Sequence, residues 1–311
     1  MRKLLSVLLV LALAGGIAAA GAVGASAATD ITAKFTDPNF RAVVYDAIGK
    51  TAPAPILDTD VAKLDDYFDA SYKDIQSLAG LEYFVNLKRL SCVGNQLTEL
   101  PTLPSRLTSL SCLANQLTKL PTLPNSLIEL YCSENQLTEL PRLSNSLEVL
   151  DCSKNALGVL PTLPFSLRNL ECAACKLTAL PKLPNSLLSL DCGNFMYYKD
   201  GPYPTDPSTH NKIKALPTLP SGLSSLYCAG NQLTALDVTG LTLYRLDCSH
   251  NNMKSTSDVK GFTGTWDGTR LVFDPQDTPQ TEPEPHFWDS WPAWAVWCLR
   301  YLGFGWIWMD L

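Results

Sequence analysis

Cysteine returns every 20 residues through the middle of this chain. It stands at Cys92, Cys112, Cys132, Cys152, Cys172 and Cys192, and after one interruption at Cys228 and Cys248. Each sits in a block such as Leu-Lys-Arg-Leu-Ser-Cys-Val-Gly-Asn-Gln-Leu at 87–97. Self-similarity at a fixed short period marks a stacked-repeat architecture, in which each unit buries its apolar face only against its neighbours. Such a chain offers a long surface and no single deep pocket.

The repeat assigns each position a task. The leucines at 87, 90, 97, 100 and 103, with their echoes 20 residues on, point inward. Eight strands centre on Leu90, Leu110, Leu130, Leu150, Leu170, Leu190, Leu226 and Leu246. A degenerate first strand, with Phe68 and Ala70 inward, precedes them, and Leu271-Val272-Phe273 supplies a closing one. Asn95, Asn115, Asn135, Asn155, Asn231 and Asn251 turn the chain after each strand, and Asn211 does so after the interruption. Buried amides of this kind need backbone partners in their own and adjacent turns. Pro101, Pro104, Pro121 and Pro124 favour extended polyproline geometry over helix, so the outer wall is expected to be thin.

The cysteines fill an apolar position, and buried cysteine behaves as a small hydrophobe. Side chains in register on parallel strands point the same way, which suits disulfide geometry poorly. Mostly reduced thiols are expected. Cys172-Ala-Ala-Cys175 has redox or metal-site form, but both residues fall on inward repeat positions, Cys175 in place of asparagine.

The consensus L-x-x-L-x-C-x-x-N-x-L-x-x-L-P-x-L-P-x-S over about 65–273 resembles leucine-rich repeats. Its Leu-Pro-x-Leu-Pro segment is similar to the short repeat of bacterial leucine-rich effector proteins. The N-terminal cap and the Leu-Asp-Val-Thr-Gly-Leu stretch at 236–241 look more like internalin-type secreted bacterial repeats. The resemblance implies a leucine-rich-repeat solenoid of the α/β class. Short parallel strands line its concave side, with polyproline and coil on the convex side. It also implies a role in binding proteins. Some effectors with this repeat carry a separate ubiquitin-ligase domain. Nothing here matches one, so that activity is not carried over.

The flanks divide as follows. Residues 1–27 read as a secretory signal peptide: Arg2 and Lys3, an apolar run, then Ala25-Ser26-Ala27 as cleavage site. Residues 28–64 read as a helical cap, with Asp37-Pro38 opening a helix whose apolar face is Phe40, Val43, Val44 and Ala47, and Gly49 ending it. A second short helix starts near Asp58. The solenoid spans 65–273 with an insertion at 195–210, an acidic proline-rich linker spans 274–286, and a tryptophan-rich tail spans 287–311.

Candidate binding residues come from the strand positions flanking each inward leucine. One outward column includes Tyr131, Asp151, Glu171, Asp191, Tyr227 and Asp247, and a second ends in Arg89 and Arg245. The face therefore has an acidic centre flanked by tyrosines, with arginine at both ends. The insertion adds Phe195, Tyr197, Tyr198 and Tyr203, an aromatic set suited to a partner. In the tail, Trp291, Trp294, Trp297, Trp306 and Trp308 suit an interfacial location. Three readings of it stand: membrane-surface association, docking on a partner or another copy, and packing on the solenoid.

His210, His250 and His286 are scattered, and no phosphate loop, H-E-x-x-H or G-x-S-x-G appears. No enzyme activity, cofactor or metal is expected. The formal charge of −6 disfavours a nucleic-acid partner. The sequence reads as a secreted or envelope-associated, non-enzymatic binding module. A protein is the first ligand class, and a glycan or cell-wall polymer or a structural surface-assembly role is the alternative.

Overall fold

The computed structural model describes residues 28–198, 201–204 and 207–277. The expected signal peptide and tryptophan-rich tail lie outside them, as does most of the linker.

The chain opens with helix α1 (Pro38–Ala47) and the single turn α2 (Asp58–Val61). Asp37 caps α1, accepting from the N–H groups of Asn39 and Phe40 at 2.9 Å each. Its other oxygen accepts from the N–H groups of Gln76 and Ser77 at 2.8 and 3.2 Å. One carboxylate thus starts the helix and ties it to the first repeat. Burial opposes that charge, but the four N–H donors outweigh it and hold Asp37 below the usual carboxylate range. The buried face of α1 is Phe40, Val44 and Tyr45. The expected Ala47 is exposed and Val43 only half-buried. Tyr45 turns inward because its hydroxyl finds the Ala54 carbonyl at 2.9 Å, which resolves the cost of burying a phenol.

The repeats supply strands β1 (Tyr67–Asp69), β2 (Arg89–Ser91), β3 (Ser109–Ser111), β4 (Glu129–Tyr131), β5 (Val149–Asp151), β6 (Asn169–Glu171) and β7 (Ser189–Asp191). An antiparallel hairpin follows, β8 (Phe195–Tyr198) with β9 (Gly201–Pro204). The series resumes with β10 (Ser225–Tyr227), β11 (Leu236–Asp237), β12 (Arg245–Asp247), β13 (Val259–Lys260) and β14 (Leu271–Val272). Among the described residues β1 to β7, β10, β12 and β14 form one ten-stranded parallel sheet. The register is exact at the central leucine throughout, as in Leu110↔Leu130 and Leu190↔Leu226. The short strands β11 and β13 pair on their own. Elsewhere the Leu-Pro-x-Leu-Pro wall carries no regular element, as proline's fixed φ and missing N–H dictate.

Leucines and cysteines of every repeat meet in one continuous core, capped by Phe35, Phe40, Phe68 and Phe84 in mutual ring contact. Asparagines hold the turns. The Asn155 amide donates to the carbonyls of Cys132, Cys152 and Ser153 at 3.1, 2.9 and 3.2 Å, while its oxygen accepts from Leu137 N at 2.9 Å. The residue before each of Asn95, Asn115, Asn135, Asn155, Asn231 and Asn251, and before Cys175 in their place, is left-handed: Gly94, Ala114, Glu134, Lys154, Gly230, His250 and Ala174 all have φ between 52° and 74°. Asn211 does replace the missing asparagine, accepting from Cys175 N and Leu177 N and donating to Cys172 O and Cys192 O. Buried Asn194 seats the hairpin's root, donating to Asn211 O and Gly230 O.

Candidate functional site

The concave sheet face is the candidate site. Alternation along a strand sends each central leucine into the core and its two neighbours outward. Parallel in-register pairing then lines those neighbours up at about 4.8 Å spacing. Tyr131, Asp151, Glu171 and Asp191 are consecutive register partners, followed by Tyr227 and Asp247.

The acids of this column are not equivalent. Asp151 accepts from Ser133 Oγ at 2.6 Å and from Ser153 N at 3.0 Å. Asp191 accepts from Gly193 N at 3.0 Å, and Asp247 from Ser249 N and Oγ at 2.9 and 2.6 Å. An aspartate at this position therefore caps the turn two residues on, a local bond that short acidic side chains favour. Asp247 is buried outright. Glu171, one methylene longer, has no such bond to its own turn and stands exposed.

Burial raises three of these carboxyls, Asp151, Glu171 and Asp191. Burial is the main cause for Asp151, opposed by its serine bonds. Burial also lifts Asp191 well above the usual range, with Glu171 and Asp151 adding repulsion. Burial, then the Asp151 charge, carry Glu171 to about 7. Tyr131 and Tyr227, half-buried on either side, are raised as well, chiefly by burial. Glu171 is thus the carboxyl of this face carried nearest to neutrality, with Asp151 and Asp191 raised beside it.

The arginines differ too. Arg89 is fixed by Asp66 at 2.9 Å and lies 5.4 Å from the Tyr67 ring centre. Arg245 lies 5.8 Å from the ring of Tyr244, which is itself 61% exposed. Tyr244 precedes the strand and was missed by sequence reasoning, because it occupies a position filled in the other repeats by Lys, Thr, Ile, Glu, Arg, Leu or Ser.

Phe195, Tyr197, Tyr198 and Tyr203 fall on the hairpin and not in an open loop. Its backbone register pairs Phe195↔Pro204 and Met196↔Tyr203. Trp291, Trp294, Trp297, Trp306 and Trp308 lie outside the described residues.

Behind the face, the nine described cysteines are buried free thiols. Burial pushes those of Cys112 and Cys248 up to about 12 and raises those of Cys92, Cys132, Cys172, Cys192 and Cys228, while for Cys152 the hydrogen bond with Cys175 leads and burial adds to it. They are poor nucleophiles there. Cys175 imitates the asparagine it replaces, its thiol donating to Cys152 O at 3.1 Å.

The functional domain of InlJ from Listeria monocytogenes, which includes a cysteine ladder, matches with TM-score 0.60 and 26% identity. That match covers 76% of this chain and 51% of the other. The protein is an internalin-like leucine-rich-repeat solenoid. YopM from Yersinia enterocolitica is 32% identical over 57% of this chain and 41% of its own, with TM-score 0.46. Internalin C2 from Listeria monocytogenes is 18% identical over 74% of this chain and 92% of its own, with TM-score 0.47. This solenoid therefore spans about half the length of InlJ's domain and less of YopM. No protein-family model and no curated protein matches the chain. Among the described residues, no helix of the solenoid is long and apolar enough to cross a membrane.

Proposed function

We propose that this solenoid is a non-enzymatic interaction module, exported by its first 27 residues and held at the cell envelope, that binds a protein through its concave face and the neighbouring hairpin. The observation that carries the reading is the composition of the sheet's outer surface. Tyrosine, arginine and an exposed glutamate share one continuous face, and Tyr and Arg are enriched where interfaces concentrate their binding energy. The hairpin follows β7, one strand of that face, directly in the chain. In InlJ the domain that includes a cysteine ladder is the functional one, which supports placing the work of this chain on its own ladder-bearing solenoid. Buried, proton-holding thiols and scattered histidines give nothing to a catalytic reading. The net negative charge speaks against nucleic acid.

Deletion of 195–210 is expected to weaken capture of host or bacterial surface proteins by immobilised protein, and unchanged capture would remove the hairpin from the reading. Truncation at Pro285 is expected to release the protein from the envelope fraction, and continued association would count against anchoring by the tail.

A second reading is favoured by Tyr131 and Tyr227, which bracket the carboxyls as aromatic platforms bracket a sugar. A glycan array without hits would leave it unsupported.

A further inference from the structure

Both ends of the concave face carry an arginine against a tyrosine, but the two ends are built differently. At the first, Arg89 lies over Tyr67 and is held by both Asp66 oxygens, at 2.9 Å from Nη2 and 3.3 Å from Nε. A carboxylate already answers that guanidinium.

At the other end, the register Leu246↔Leu271 sets Arg245 beside Arg270 on adjacent segments, about 5 Å apart along the backbone. In this register Tyr244 stands to Arg270 as Asp66 stands to Arg89. The acid has been replaced by an aromatic ring, with the Arg270 and Arg245 guanidiniums 5.4 and 5.8 Å from its centre. Both arginines and the tyrosine are exposed. Arg245 is in none of the described ion pairs and donates to the hydroxyl of Tyr227, a neutral partner. Arg270 meets only Asp267, at 3.5 Å, whose other oxygen already accepts from the N–H groups of Thr269, Arg270 and Leu271. Asp247, the next acid, is buried and turned to Ser249.

Two like charges side by side on neighbouring strands repel. The tyrosine face eases that repulsion through cation–π attraction but brings no negative charge. A planar or tetrahedral oxyanion lying between the two forks would remove it, because guanidinium donors match carboxylate and phosphate oxygens in pairs. We propose that Arg245, Arg270 and Tyr244 form an oxyanion-recognition subsite at the C-terminal end of the concave face, which receives a carboxylate or phosphate group carried by the partner. It rests on the reading that this face meets a partner, and it names the chemistry of one contact. Arg89 is the internal control: same side-chain pair, same sheet, but a carboxylate already in place.

The test needs no partner. The arginine Nε–H signals of the full-length protein are followed by NMR while inorganic phosphate or glutarate is added at constant ionic strength. The Arg245 and Arg270 signals are expected to shift saturably and the Arg89 signal to stay put. Arg270→Ala is expected to weaken the titration at least about fivefold, the loss of one charge-assisted contact, and Arg89→Ala to leave it unchanged. Tighter saturation by phosphate assigns the group to a phosphorylated or lipid-phosphate source, and tighter saturation by glutarate to an acidic side chain or chain terminus. Shifts that never saturate, or an Arg89 response equal to that of Arg245, would overturn the subsite. Lost protein capture with an intact anion response would instead count against the partner reading.

Discussion

Asn155 illustrates how single residues hold this molecule. Its amide serves two repeats at once, and its side chain is 1% exposed. Asn155→Ala strands carbonyls on both repeats and the N–H of Leu137, so a loss of about 3 kcal/mol is expected in urea unfolding. Cys175 is the reverse case. Its thiol reproduces one amide bond but offers only a weak acceptor to the turn of the preceding repeat. Cys175→Asn is expected to raise stability by about 1 kcal/mol, read the same way. Glu171 sets a pH dependence. Its folded-state pKa, about 7, lies above the unfolded value near 4.3, so its contribution is fully present below the unfolded value and is lost as pH rises through 7. Thermal melts of wild type against Glu171→Gln are expected to converge at pH 8 less closely than at pH 5 if the wild-type carboxyl is the cause. Specifically, the wild type should lose melting temperature between pH 5 and 8 and the variant should lose less. Parallel profiles would contradict the assignment.

Among elements, the cap depends most on one side chain. Asp37 joins the α1 N-terminus to Gln76 and Ser77. Asp37→Ala is expected to cost about 2 kcal/mol, the upper range for an N-cap, with early exchange of the α1 amides as its signature. The strands, their leucine register and the asparagine turns could all be read from the 20-residue spacing, because an invariant pattern repeated eight times leaves one way to stack. What could not be read depended on single non-repeating contacts. Tyr45 displaced Ala47 from the helix face because the Ala54 carbonyl, outside the helix, met its hydroxyl. The insertion became a hairpin through backbone pairing that no repeat dictates. The acidic column was legible as a column, but its aspartates also cap their own turns, a bond that depends on a side-chain length one methylene shorter than that of Glu171.

At the scale of the whole solenoid, the outcome is a ten-stranded parallel sheet whose chemistry changes along its length. Carboxyls raised by burial occupy the middle, tyrosines flank them, and two adjacent arginines close one end. Because each repeat leans only on its neighbours, this surface can vary from repeat to repeat without disturbing the leucine and cysteine stack behind it. The most direct measurement is the affinity of an identified protein ligand for wild type and for a Tyr131→Ala, Glu171→Ala, Tyr227→Ala, Arg245→Ala variant. Phe165→Ala, at an exposed turn before β6, serves as the control. The account expects at least tenfold weaker binding, about 1.4 kcal/mol, for the face variant at an unchanged melting temperature, with the control binding as wild type. Equal affinity for the face variant, or a comparable loss for Phe165→Ala, would contradict it.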